Sequence, residues 1–110
     1  MNIDALKKML TQGQDNLLLR FGLGKALLDA EQPAEAIEHL LKAIEFSPDH
    51  SASWKLLGKA YAGSGQPEEA IKTYNLGIKM ADMKGDIQAA KEMKVFLKRA
   101  YKETDKKMPE

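Results

Sequence analysis

The chain has 110 residues, 44% of them apolar and 30% charged, with 17 basic side chains against 16 acidic ones and a formal net charge of +1. That mixture suits one domain able to bury well over half of its unfolded surface. No apolar run reaches the roughly 20 residues that span a bilayer, and the absence of cysteine excludes disulfides and thiol chemistry.

Residues 1 to 13 open with Ile3, Leu6, Met9 and Leu10 at helical spacing, which predicts a short N-terminal helix. It closes at Gly13, where the missing β-carbon admits the left-handed residue that ends helices. The segment is too polar for a secretory signal, and with the absence of cysteine it predicts a cytoplasmic protein.

Residues 17 to 50 and 51 to 84 are two copies of one pattern. At an offset of 34 residues, Leu23-Gly24-Lys25-Ala26 falls on Leu57-Gly58-Lys59-Ala60, Gln32-Pro33 on Gln66-Pro67, and Glu35-Ala36-Ile37 on Glu69-Ala70-Ile71. A period of this length marks a stacked-repeat architecture. Within the second copy, Trp54, Leu57, Gly58 and Tyr61 recur at i, i+3, i+4 and i+7, on one face of a helix. A glycine inside a helix costs about 0.5 to 1 kcal/mol relative to alanine, so its recurrence at Gly24 and Gly58 predicts a neighbouring helix pressed too close for a methyl group. The turns Asp29–Pro33 and Gly63–Pro67 each place proline in the first turn of the next helix. Ile37, Leu40, Leu41 and Ile44, then Ile71, Tyr74 and Ile78, carry the helical period onward.

Residues 86 to 103 form a last helix with Ala89, Ala90, Met93, Phe96, Leu97, Ala100 and Tyr101 on one face, and residues 104 to 110 read as a frayed polar tail. Stacked repeats bury their cores only against neighbours. The two flanking helices are therefore expected as caps.

The pattern Trp54-x2-Leu57-Gly58-x2-Tyr61 followed by Ala70-x3-Tyr74 resembles the tetratricopeptide repeat, and Leu23, Gly24, Leu27, Ala36, Leu40, Ala43 and Pro48 match it in the first copy. The resemblance implies an all-α, right-handed superhelical stack of antiparallel helix-turn-helix repeats, in one domain closed by a C-terminal capping helix. Arg20 stands where the second copy has Trp54, and Gly77 and Asp82 replace Ala43 and Pro48, as expected where a repeat adjoins a cap.

In that family the first helix of each repeat lines a concave face that grips a partner's segment. The matching positions are Leu18, Phe21, Lys25 and Leu28, then Ala52, Lys55, Lys59 and Ala62. Three lysines on one concave face favour an anionic ligand such as an acidic peptide or a C-terminal carboxylate; lysine on a solvated helix face is also ordinary. The clamp with which some members hold a chaperone's terminal carboxylate is not matched, because Phe21 and Lys25 stand at its first-repeat positions and Leu56 at its second-repeat asparagine.

The expected role is thus non-enzymatic protein–protein interaction or scaffolding, with no cofactor and no metal. Two alternatives stand beside it. Lys91, Lys94, Lys98 and Lys102 form a stripe on the last helix, with Arg99 beside it, suited to nucleic acid or an anionic surface; the near-neutral net charge weighs against nucleic acid. Self-association into a homodimer is the other. His39 and His50 lack the partners of a triad or metal site and read as surface residues.

Overall fold

The computed structural model describes residues 2 to 109, and among these it is all helical. The helices are α1 (Ile3–Thr11), α2 (Leu17–Asp29), α3 (Pro33–Phe46), α4 (Ser51–Gly63), α5 (Pro67–Lys84) and α6 (Ile87–Lys102). Five of the six described helices start at a side-chain cap or a proline, and α1 and α5 stop at a left-handed glycine. The Asn2, Asn16 and Asp86 side chains accept hydrogen bonds from the backbone N–H three residues on, at 3.2, 2.9 and 3.1 Å, which satisfies donors that the first turn leaves free. Pro33 and Pro67 begin α3 and α5, where their lack of an N–H costs nothing. Gly13 follows α1 at φ 87° and Gly85 ends α5 at φ 81°, in the left-handed region.

Helices α2 with α3, and α4 with α5, make two antiparallel pairs, and α3 packs on α4 to stack one pair on the other. The stack measures 47 × 29 × 18 Å. It holds two buried clusters in series. Leu23, Leu27, Ala36, Leu40, Leu57 and Ala60 form the first, covered at the N-terminal end by Ile3, Leu6 and Leu10 of α1. Trp54, Tyr74, Ala81, Ala90, Met93 and Leu97 anchor the second, covered by α6. Ile44 and Tyr61 touch both clusters and join them.

The recurrent glycines sit where the pairs cross. A β-carbon on Gly24 would lie 2.6 Å from Leu40 Cδ2, and one on Gly58 would overlap the Tyr74 ring, far inside ordinary carbon–carbon contact.

The last helix is more than a lid. It packs on α5 and also lies against α4, while α2 lies against α4, so α2, α4 and α6 form one inner row. Ala89, Ala90, Met93 and Leu97 continue the buried pattern of Ser53, Trp54, Leu57 and Tyr61, 36 residues on. The shift arises because α5 runs to 18 residues against 14 for α3, while the link to the next helix shortens from four residues to two. In this register Lys94 stands where Gly58 does. Lys94 is exposed where Gly58 is buried, so α6 lacks the small residue of a close helix crossing at this position.

Candidate inner-face binding site

All eight positions expected on the concave side lie on α2 and α4, and they differ in exposure. Leu18 is 79% exposed, and Lys25, Lys59 and Ala62 are exposed. Phe21, Leu28, Ala52 and Lys55 are half-buried. Phe21 and Leu28 pack partly on the first core cluster, and the His50 ring stands edge-on to Phe21 at 5.0 Å between centroids.

Three hollows follow one another across this face. Leu18, Phe21, Gly22, Lys25, Ala26 and Asp29 line an apolar one of about 500 Å³. Lys25, Leu28, Asp29, Lys55, Leu56 and Lys59 line the next, about 340 Å³. A third of similar size is bounded by Lys59, Ala62, Tyr74, Phe96, Arg99, Ala100 and Glu103. The first two adjoin at Lys25 and Asp29 and the last two at Lys59, so the hollows follow one another as a track over α2, α4 and α6.

The three lysines of the track meet in its middle hollow, yet their charges are not equivalent. Lys25 Nζ lies 3.2 Å from Asp29 Oδ2, one turn on, and Lys55 Nζ lies 3.2 Å from Glu92 Oε2 on α6. Lys59 instead sits over the Phe96 ring, 5.2 Å from its centroid, and the Arg99 guanidinium lies over the same ring at 5.5 Å, a cation–π arrangement at both sites. Among the described residues no carboxylate is within ion-pair distance of Lys59 or Arg99.

Sequence reasoning set Arg99 beside the basic stripe; the structure turns it into the groove. Phe96 packs against the second core cluster, as its place on the apolar face of the last helix implies, and also lines this groove; Glu103 as lining and Glu92 as counter-charge are absent from the sequence expectation. The signal available was the 36-residue register of α6. Lys91, Lys94, Lys98 and Lys102 are all exposed, but Val95, 51% exposed, and Ile87, 69% exposed, lie among them.

The histidine expectation needs correction. His39 is buried at 6% exposure. Its Nδ1 is 2.9 Å from Arg20 Nη1, and Arg20 donates two further hydrogen bonds to Asp15 at 2.7 and 2.9 Å. Because Arg20 stands at the Trp54 position, it gives His39 a polar partner where the second repeat has none. Burial, and secondarily the Arg20 charge, hold His39 below the ordinary histidine pKa, opposed by Glu38. The Arg20 partnership holds Asp15 below the usual carboxylate range. His50 is half-buried and is likewise lowered by burial, with Lys84 adding to the shift. Among the described residues, no three His, Asp or Glu side chains gather as a metal site, and no helix is long and apolar enough to cross a membrane.

Comparison with known proteins agrees with this architecture. A family model described as the tetratricopeptide repeat matches residues 27–94. A TPR repeat-containing protein of Pseudomonas aeruginosa, PA0015, is 50% identical over 99 residues, covering 90% of this chain and 94% of its own. The solution structure of protein BPP2914 from Bordetella parapertussis superposes with a TM-score of 0.81 at 42% identity, covering 94% of this chain and 90% of that one. A tetratricopeptide repeat domain protein from Salinibacter ruber shares the fold, with a TM-score of 0.74 at 22% identity over 87% of this chain and 97% of that one.

Proposed function

The chain belongs to the tetratricopeptide-repeat family, and from that premise we propose that it is a non-enzymatic interaction module that receives an extended segment of a partner protein along the inner face of α2, α4 and α6. Family membership supports a protein partner in general terms. The observation that carries the finer reading is the track itself: three hollows adjoining in turn at Lys25, Asp29 and Lys59 suit a strand-like chain laid across three parallel helices. Apolar area on such a track supplies most of the binding energy, and the charged rim selects and steers. A segment of this length covers less than the interface of a stable complex, so micromolar affinity is the natural range.

The test is affinity capture from the host's lysate, comparing the native chain with a Leu18→Asp, Ala62→Glu double variant. Both positions are exposed, so the fold survives and its thermal melt verifies this. The reading expects a protein retained by the native chain and lost by the variant. Equal retention by both contradicts it.

A further inference from the structure

The third hollow is chemically unlike the rest of the track. Its floor is apolar, formed by the Phe96 ring with Tyr74, Ala62 and Ala100 around it, and two cations share that ring. Elsewhere on the face each lysine already has an acid, Asp29 for Lys25 and Glu92 for Lys55. Lys59 and Arg99 therefore repel each other over one aromatic ring without a paired acid, and an anion placed between them relieves that repulsion and forms charge-assisted hydrogen bonds to both. The lining carries Lys59, Arg99 and Glu103, two positive charges and one negative. The surplus of one matches a carboxylate, and Glu103 would oppose a doubly charged phosphate.

At the other end of the track, Leu18 and Phe21 offer an apolar surface with no free charge, since Lys25 and Asp29 neutralise each other there. Neighbouring helices pack about 8 to 10 Å apart, so α6 lies roughly 16 to 20 Å across from α2, and Phe96 and Arg99 lie two turns, about 12 Å, further along the helix direction than Leu18 and Phe21; the span of roughly 20 to 23 Å takes an extended chain about six or seven residues. Building on the inner-face reading, we propose that the hollow over Phe96 takes an acidic side chain from within the partner segment, together with an adjacent apolar residue, while a second apolar residue about six or seven positions away seats on Leu18 and Phe21. The occupant proposed is a side-chain carboxylate; a terminal carboxylate carries the same charge, and the capped peptides of the test separate the two.

The test is selection of random twelve-residue segments, displayed internally on phage, on the immobilised full chain. Selected peptides are then synthesised with both ends capped. The proposal expects enrichment of Asp or Glu about six or seven positions from an aliphatic or aromatic residue. Changing the peptide's Glu to Gln weakens binding roughly tenfold, in the range of a charge-assisted hydrogen bond. Lys59→Glu and Arg99→Glu weaken it at least as much, and a peptide with Lys in place of that Glu recovers affinity for Arg99→Glu. Lys59 and Arg99 are both exposed, and unchanged thermal melts show that the variants are folded.

The proposal is overturned if acids are not enriched, if both charge reversals bind the peptides normally, or if only peptides with a free C-terminus bind. Peptides lost by Leu18→Asp, Ala62→Glu but indifferent to Arg99→Glu leave the inner-face reading standing and sink this one. Peptides indifferent to both, or a library that yields no binder, sink both.

Discussion

The two complete repeats build the same hairpin from different materials at matching positions. In the first, Arg20 bridges Asp15 and the buried His39. In the second, the same place holds Trp54, whose indole N–H donates to the Pro48 carbonyl at 2.7 Å, and the His39 position holds the buried Thr73. Volume is balanced locally. Gly77 stands where the first repeat has Ala43, and a β-carbon on Gly77 would lie 2.7 Å from Trp54 Cβ. The hairpin thus accepts either a polar latch or an aromatic wedge, provided the facing residue on the partner helix changes with it. The polar version sits beside α1, where the linker carrying Asp15 can reach it; the aromatic version sits between two neighbours and is buried on both sides.

The largest effect expected from breaking this contrast is at the wedge. Trp54→Ala removes a buried ring from the second cluster and should cost about 3 to 5 kcal/mol in urea unfolding; a loss below about 1 kcal/mol would mean that α6 does not depend on it. Next come the crossing glycines. Gly58→Ala drives a methyl into the rigid Tyr74 ring, whereas Gly24→Ala meets Leu40, which can change rotamer. The first should destabilise by about 1 to 3 kcal/mol, in part offset by alanine's better helix propensity, and the second by less. Equal melting points for the two would contradict the ring-versus-rotamer distinction.

The latch predicts a pH dependence that the wedge lacks. Burial keeps His39 below its ordinary pKa of 6.5, so the unfolded chain takes up the proton first as the solution is acidified. The stability contributed by neutral His39 is full above about pH 6.5 and declines as pH falls through its folded value, by at most about 1.4 kcal/mol per pH unit. His50 acts in the same direction. His39→Thr, borrowed from the second repeat, should flatten the slope between pH 7.5 and 5.5 in urea titrations; an unchanged slope would remove His39 from the account.

The smallest effect lies in the turns. Glu31 adopts φ 59° where the second repeat has Gly65 at 77°. Glu31→Gly should therefore raise stability by roughly 0.5 to 1 kcal/mol as left-handed strain is relieved. A lower melting point would contradict this.

Much of the fold is written in the period and in Gly24 and Gly58, because a close helix crossing needs glycine and a repeat supplies it twice. The left-handed turn at Gly13 is legible for a different reason, since its φ of 87° favours a residue without a β-carbon. The burial of His39 is not, since it follows from Arg20, 19 residues away in sequence, and single-helix periodicity carries no such information. The candidate site was half legible. Leu18, Phe21, Lys25 and Lys59 lie on the track, but the longer α5 shifts the register of α6 and hides Phe96 and Arg99 from a strict 34-residue comparison. Glu92, which neutralises Lys55, is 37 residues from it. Charge pairing across helices is a tertiary fact.

The measurement that bears most directly on the inner-face account is backbone amide chemical-shift mapping of the chain titrated with a selected capped peptide. The account predicts that the perturbed amides lie on α2, α4 and α6, around Leu18, Phe21, Lys59, Phe96 and Arg99, with the outer helices α3 and α5 largely unmoved. Shifts centred on α3 and α5, or confined to the exposed edge of Lys91, Lys94 and Lys98, would contradict it.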